Sequence, residues 1–444
     1  MPESIFETLG VDVKTLTTIL GPVWQIIESW WWIILPILLY RPFLFLWLWW
    51  RKELWLKKQK AAMLEVKIPK DVLKPIRAME SVMSSIHGAV YHPPDLWEKW
   101  IDGQIQLGVS FEIVSFGGEP RFFVRTHKTY QQAVESSIYA QYPEAEIKEV
   151  EDYTNLVPQD IPNKDWDMWA SDYMLLKPNP YPIKTYPKFE TEREPMEEKR
   201  IDPISSLMEA MAKIKPDEQL WVQIRAAPIA EKGLEKHVKE GHAIRDKLAR
   251  RPDPKKQKSM VGETIDVFLT GKPAGVEPEV KELIPPEMKL TPGEKEILAA
   301  IEEKISKLSF RCGARFIYLG KKDVFFRANF RLAFTFFNSF VTANLNAIYP
   351  WGKTLSKIHK SWFLPLNLIL RRRLYLRNRR IFKRYKTRDH PLFPRTTGDK
   401  GIFILNTEEL ASLYHFPGRA VAPSPFVPRV EVKKGEAPPG LPVE

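Results

Sequence analysis

Three consecutive residues, Gly352-Lys353-Thr354 within the string NAIYPWGKTLSK, are the closing letters of a phosphate-binding loop. Such a loop cradles phosphate oxygens with backbone N–H groups and needs a glycine five positions before the Gly-Lys pair. Ala347 stands there instead, and the intervening Tyr349 and Pro350 are bulky or lack an N–H. The loop also wants a strand before it and a helix after it, whereas Phe326 to Asn346 reads as a helix. Gly352, Lys353 and Thr354 are therefore rejected as a nucleotide site and read as a turn leading toward a basic segment.

Other catalytic patterns are equally thin. His237 and His242 are five apart, which puts them on different sides of a helix and argues against a shared metal. Neither GxSxG nor HExxH occurs, and no Cys/His pair offers a nucleophile. The acidic pairs Glu302-Glu303 and Glu408-Glu409 are expected on solvated helix faces, where nothing would perturb their pKa. The expectation is a binding or structural protein, not an enzyme, with no cofactor and no metal.

Polyanion chemistry has a stronger signature. From Arg371 to Arg388, RRRLYLRNRRIFKRYKTR places ten Lys or Arg in eighteen residues with Leu374, Tyr375, Leu376, Ile381, Phe382 and Tyr385 between them. Such a helix attracts phosphates by releasing their counterions. Arg371, Arg372, Arg373, Arg377, Arg379, Arg380, Lys383 and Arg384 are the candidate contacts. The preceding SWFLPLNLIL is apolar, so an anionic inner leaflet, an acidic protein and nucleic acid all remain open as partners.

The whole chain agrees with a polyanionic neighbour. Its 444 residues carry a formal net charge of +12, and 44% hydrophobic content suffices for two or three domains. A single cysteine, Cys312, excludes an internal disulfide framework and a multi-thiolate zinc site, and suits a reducing compartment.

At the N-terminus, WWWIILPILLYRPFLFLWLWW from Trp30 to Trp50 has Arg41 as its only charge. Those 21 residues at ~1.5 Å each cover a hydrocarbon core of ~30 Å. Trp30, Trp31 and Trp32 at one end and Trp47, Trp49 and Trp50 at the other form the expected interfacial belts. Arg51 and Lys52 lead a basic flank that, by the positive-inside rule, leaves residues 1–22 outside and the bulk in the cytoplasm. A rival placement spans Val23 to Tyr40 and lays Phe43 to Lys60 along the inner surface. Either way, the expected localisation is the inner membrane, single-pass, with residues 23–60 as anchor and juxtamembrane segment.

The elements that must position the basic helix read as α+β. Residues 64–152 alternate as a strand (Leu64 to Ile68), a helix from an Asp71 cap to Gly88, strands GVSFEIVSF and RFFVRT joined at Gly117-Gly118-Glu119-Pro120, a helix capped by Thr129 with Gln132, and the strand AEIKEV. That order is the split βαβ, or ferredoxin-like, unit. Phe122 and Phe123 are assigned to its core rather than to a nucleic-acid platform. Residues 166–340 read as a second α/β domain of the same sort, with the aromatic, proline-rich string WDMWASDYMLLKPNPYPIKTYPKFE as a linker packed against the first domain before a strand near Ile183 to Phe189. A helix opened by Asp202-Pro203 buries Ile204, Leu207, Met208, Met211 and Ile214, and QLWVQIRA follows as a strand. After a charged insertion, 231–287, a Thr291/Glu294 capping box opens a helix burying Ile297, Ile301, Ile305 and Leu308, before the strand FRCGARFIYL. One further strand of this domain is not placed by the pattern, with ETIDVFLTG as a candidate. A basic helical segment (341–400), a strand-helix motif with an Asn406/Glu409 cap (401–418) and a Pro-rich tail (419–444) complete the chain.

Several long strings carry a family resemblance: SFEIVSFGGEPRFFVRT, VESSIYAQYPEAEIKEVEDY, PNKDWDMWASDYMLLK, YPIKTYPKFE, RIDPISSLMEAMAKIKPDEQLWVQI and ILNTEELASLYHFPG. They resemble the membrane-anchored N-terminal regions of conjugative-transfer or type IV secretion ATPases (TraG-like motors) from candidate-phyla bacteria. In larger relatives the TEELA…YHFP segment leads into a P-loop motor, and this sequence stops before one. The resemblance implies a membrane-anchored assembly or docking subunit for a separate P-loop ATPase, in an oligomer matching a hexameric motor. The alternative is a membrane-tethered protein that binds DNA or other nucleic acid through residues 371–388.

Overall fold

The structure is a computed structural model that describes residues 13–69, 74–189, 202–250, 290–358, 362, 369–388, 401–418 and 429–430. Contacts divide the chain into two units, one built on the N-terminal helix with residues 93–105, the other running from residue 61 onward apart from that excursion. The fold is mixed α+β with an antiparallel sheet, preceded by one long apolar helix.

In the first unit, α1 (Val13–Lys58) runs unbroken through Pro36 and Pro42. Its segment Glu28–Lys58 is long and apolar enough to cross a membrane, with mean hydropathy 1.7 over the most apolar window. Trp30, Trp31, Trp32, Trp49 and Trp50 are exposed. At its C-terminal end α1 is held by residues 93–105: Trp47 Nε1 donates to Trp100 O at 2.9 Å, and Arg51 Nε donates to Ile101 O. Gly103, at φ 75°, lies against the Arg51 backbone, where a Cβ would come within 2.3 Å of the carbonyl carbon. Only glycine fits that approach.

The second unit is organised by one sheet. Its elements are β1 (Ala61–Pro69), α2 (Ile76–Val90), β2 (Val109–Phe116), β3 (Glu119–His127), α3 (Gln131–Tyr139), β4 (Glu146–Val150), β5 (Trp166–Leu175), α4 (Ser205–Ala212), β6 (Glu218–Pro228) and α5 (Glu231–Leu248). There follow α6 (Pro292–Ser306), β7 (Ser309–Lys321), α7 (Phe330–Asn338), β8 (Ile348–Pro350), α8 (Leu370–Thr387), β9 (Phe403–Asn406), α9 (Thr407–Leu413) and β10 (Arg429–Val430). The main strand order is β1-β3-β2-β6-β7-β5-β8, with β4 and β10 pairing β1 and β9 pairing β7. Stretches 64–152 and 166–340 thus share a continuous sheet through the antiparallel β2–β6 pair, Val109↔Ala226 to Phe116↔Gln219. The β2–β3 turn has positive φ at both Gly117 and Gly118, which matches the twist of a tight hairpin.

One face of the sheet is covered by helices whose apolar positions share one core: Met79, Met83 and Ile86 of α2, Val134 and Ile138 of α3, Leu207 and Met211 of α4, Phe336 and Phe337 of α7, and Leu410 and Leu413 of α9. Phe122 enters this core and Phe123 the opposite one, both buried. The opposite core is filled by Met63, Val114, Trp221 and Ile317 from the sheet, by Tyr153, and by Ile381, Phe382 and Tyr385 of α8.

Several sequence expectations are corrected. WDMWASDYML is not a linker but β5, paired with β7 and β8. It escaped the strand template because both its faces are covered, so its apolar residues do not alternate. No strand forms near Ile183 to Phe189, where Tyr186–Lys188 is a short 3₁₀ turn with Pro187 inside it. Thr129 caps nothing, since α3 starts at Gln131 behind a 3₁₀ turn and its N-cap makes no side-chain bond. Asp202 does accept Ile204 N at 2.8 Å, yet α4 starts only at Ser205. Leu308 lies beyond the end of α6 and is exposed. The helix between Phe326 and Asn346 is confined to Phe330–Asn338 after a 3₁₀ turn. Gly88 lies inside α2, which continues to Val90, while the proposed Asp71 cap falls outside the described residues. The capping boxes at Thr291/Glu294 and Asn406/Glu409 are formed as expected. ETIDVFLTG and all of the Pro-rich tail except 429–430 fall outside the described residues, as does the charged insertion beyond residue 250.

Candidate functional site

The basic segment is a helix whose C-terminal half is packed through its apolar residues, while Tyr375 and Leu376 in its N-terminal half are exposed. Ile381, Phe382 and Tyr385 sit at one-turn spacing and are buried against the sheet. Removing each from water stabilises the docked helix by roughly 1.5–3 kcal/mol. The cations divide accordingly: Arg371, Arg372, Arg373, Arg380 and Lys383 are exposed, and Arg377, Arg379 and Arg384 are half-buried. Arg379 lies over the Tyr375 ring at 5.9 Å.

The C-terminal end of α8 is latched by an ion pair beneath it. Arg388 occupies the C-cap in a left-handed conformation, φ 54° and ψ 34°, which turns its side chain back under the helix. Its Nε and Nη2 donate to Glu112 Oε1 and Oε2 at 2.9 and 3.0 Å, a two-pronged pairing with a carboxylate that is fully buried on β2. The same guanidinium donates to both carboxylate oxygens of Asp152. Glu112 also accepts from Ser110 Oγ at 2.6 Å, Tyr153 OH at 2.5 Å and Gln223 Nε2 at 3.0 Å. Tyr385 OH lies 2.8 Å from Tyr153 OH, so a tyrosine of α8 joins the network.

Burial alone would push the Glu112 and Asp152 carboxyls up. The attraction and hydrogen bonds of Arg388 outweigh it and hold both below the ordinary carboxylate range. Burial lowers Arg388 as well, but Glu112 and the other anions around it more than reverse this. Both carboxyls are therefore held toward their charged forms while every nitrogen of the Arg388 guanidinium donates to a carboxylate, and the network acts as a structural latch. Close by, burial and the charges of Arg125 and Arg225 push His127 down to about 4.

The Gly352-Lys353-Thr354 turn follows the short strand β8, so a strand does precede it, but a turn and not a helix comes next. Thr354 Oγ1 accepts Asp172 N at 3.1 Å and donates to Trp351 O at 3.2 Å. Ser356 Oγ accepts Ala170 N at 2.9 Å and donates to Asn378 Oδ1 of α8 at 2.8 Å. The hydroxyls of this string thus extend the edge of β5 and tie α8 to it. Arg377 Nη1 completes the tie by donating to the carbonyls of Gly352, Leu355 and Lys357 at 3.3, 2.8 and 3.0 Å.

Glu408 and Glu409 overturn the expectation of a solvated face. The Asn406/Glu409 box turns Glu409 into the core, where it pairs with Lys304 at 3.0 Å with neither side chain exposed. Burial raises the carboxyl and lowers the amine, so each shifts toward neutrality. Glu408 pairs with Lys307. Glu302 and Glu303 are exposed as expected. His237 is buried and His242 exposed, on different sides of α5. Among the described residues, no cluster of three or more His, Cys, Asp or Glu could hold a metal.

Sequence reasoning thus identified α8 and its cations but missed Glu112, Asp152 and Arg388 as its anchorage. The one available signal was Glu112 itself, a lone carboxylate inside the apolar string SFEIVSF. No protein-family model matches the chain, and neither does any curated protein sequence.

Proposed function

We propose that this chain is a non-enzymatic, membrane-anchored docking subunit of a type IV secretion or conjugation-like translocation machine, and that it holds a separate P-loop ATPase at the inner membrane. The observation that carries the reading is the disposition of α8: Ile381, Phe382 and Tyr385 are buried on the sheet, while Arg371, Arg372, Arg373, Arg380 and Lys383 stay exposed, with Tyr375 and Leu376 exposed among them. A helix lying on lipid would present its larger apolar residues to the bilayer, and in α8 Ile381, Phe382 and Tyr385 are turned to the sheet instead. A helix presenting cations from a rigid platform suits an acidic protein surface, where charge steers encounter and sets orientation. The family resemblance supplies the kind of partner.

In this reading the platform is a pair of split βαβ, ferredoxin-like modules. Their strand orders, β4-β1-β3-β2 and β8-β5-β7-β6, run outward from the shared β2–β6 seam. The segment within α1 anchors the platform, residues 1–22 lie outside and the body faces the cytoplasm. Protease added to sealed inside-out vesicles should then degrade residues 60–444, and their survival would refute the orientation.

The functional test is affinity purification of the full chain from native membranes, with captured proteins identified by mass spectrometry. A co-purifying protein carrying GxxxxGK[ST] is expected. Retrieval of nucleic acid without any P-loop ATPase would sink the docking role and favour the second reading, a membrane-tethered nucleic-acid binder. The same exposed cations support that alternative, which requires affinity falling steeply with salt.

A further inference from the structure

A cavity of about 260 Å³ opens between the Gly352–Lys357 turn and α8. Lys353 of the turn and Arg373, Arg377, Arg380 and Arg384 of the helix line it, with no acid among the lining residues. The four arginines are spaced 4, 3 and 4, so they form one ridge, and like charges at that spacing repel. Arg377 is pushed below its ordinary range by burial and by the charge of Arg373.

Buried cations elsewhere in this unit are matched by acids: Arg388 by Glu112, Arg315 by Asp172, Lys304 by Glu409. Arg384 shares the field of Asp172. Lys353, Arg373, Arg377 and Arg380 form no ion pair among the described residues. Like charges are thus brought together in a concave site with no acid among its lining residues, and an anion entering the cavity would relieve their repulsion.

We propose that this cleft binds a small soluble anion carrying adjacent phosphate groups, of the pyrophosphate or polyphosphate class. Guanidinium forks match the oxygen geometry of phosphate, and Lys353 adds a compact point charge. The cavity is smaller than the ~300–1,000 Å³ typical of sites for drug-sized ligands, so a compact polyanion fits better than a nucleoside with its base. The cations converge from two elements on one hollow, unlike the flat stripe that tracks a nucleic-acid backbone. Arg377 is held in place beforehand by its three carbonyl partners. Phosphate recognition here runs through side chains, not through the backbone cradle of a P-loop; Arg373 and Arg380 belong also to the docking surface, while Lys353 and Arg377 belong to the cleft alone.

The test is calorimetric titration of inorganic pyrophosphate into the full chain in uncharged detergent at about 0.15 M salt, where diffuse surface attraction is screened beyond ~8 Å. Saturable, one-to-one binding is expected. The double variant Lys353→Gln/Arg380→Gln should weaken it by about tenfold or more. Lys239→Gln, at an exposed cation on α5, should leave it unchanged. Should the double variant melt early, Arg380→Lys keeps the charge but loses the fork, and is expected to weaken binding in a protein with unaltered melting. Absence of saturation, or equal weakening by Lys239→Gln, would overturn the proposal. So would anionic vesicles or duplex DNA engaging these residues while pyrophosphate does not.

Discussion

The two ends of α8 carry the same residue type to opposite purposes. Arg388 is 3% exposed, paired with two carboxylates and held in a left-handed turn, whereas Arg371 and Arg372 are exposed at the first turn. An exposed arginine keeps its hydration, so its attraction is available to a partner. A buried one has lost its water and must be fully satisfied inside the fold. A string of ten cations therefore contains both a binding surface and its own fastening, and composition alone cannot separate them.

Removing the fastening should have the largest effect. Arg388→Ala leaves Glu112 charged, buried and short of two hydrogen bonds, and is expected to cost about 3–5 kcal/mol in denaturant unfolding. Replacing both partners, as Glu112→Leu with Arg388→Met, should recover part of that loss, because no charge is left unpaired at position 112 although Asp152 still loses the same guanidinium. Equal damage from the double variant would mean that the pair is not the relevant interaction.

Acid should open the same latch. Glu112 and Asp152 have folded-state pKa values below their ordinary 4.5 and 3.8, so their stabilisation is complete above that range and is lost as pH falls through the depressed values. His127 and His237, pushed from 6.5 to about 4, remain neutral in the fold while the unfolded chain takes up protons. Stability should therefore already decline between pH 6.5 and 4, before the carboxylates respond. Thermal melts across pH should show a shallower early decline in His127→Gln. A rise in stability on acidification would contradict both assignments.

Arg377, midway along the helix, should fall between the extremes. Arg377→Gln removes a charged donor from three carbonyls and is expected to cost about 1.5 kcal/mol. At the exposed end, Arg371→Gln should shift stability by no more than about 0.5 kcal/mol. If a polyanion is the partner, each exposed cation removed should lower the slope of log affinity against log salt by about 1.

Legibility in the sequence followed locality. Hairpins, capping boxes and strand alternation depend on residues a few positions apart, and they were readable from Gly117-Gly118-Glu119-Pro120, Thr291/Glu294 and QLWVQIRA. Glu112 and Arg388 are 276 residues apart, and Lys304 and Glu409 are 105 apart, so no local pattern announces either pair. Glu408-Glu409 misled because an acidic first turn reads equally well on a solvated helix. β5 misled because Asp167 and Asp172 interrupt an apolar run, although Asp172 is buried beside Arg315.

The proposed docking role divides labour along α8: its exposed cations would engage a P-loop ATPase, and its buried end holds the platform together. The direct measurement is recovery of that ATPase from native membranes with the wild-type chain and with Arg371→Gln/Arg372→Gln/Arg380→Gln, alongside the melting temperature of each purified chain. Loss of the ATPase at unchanged melting temperature is the predicted result. Undiminished recovery with the triple variant, or nucleic acid recovered in place of any ATPase, would contradict it.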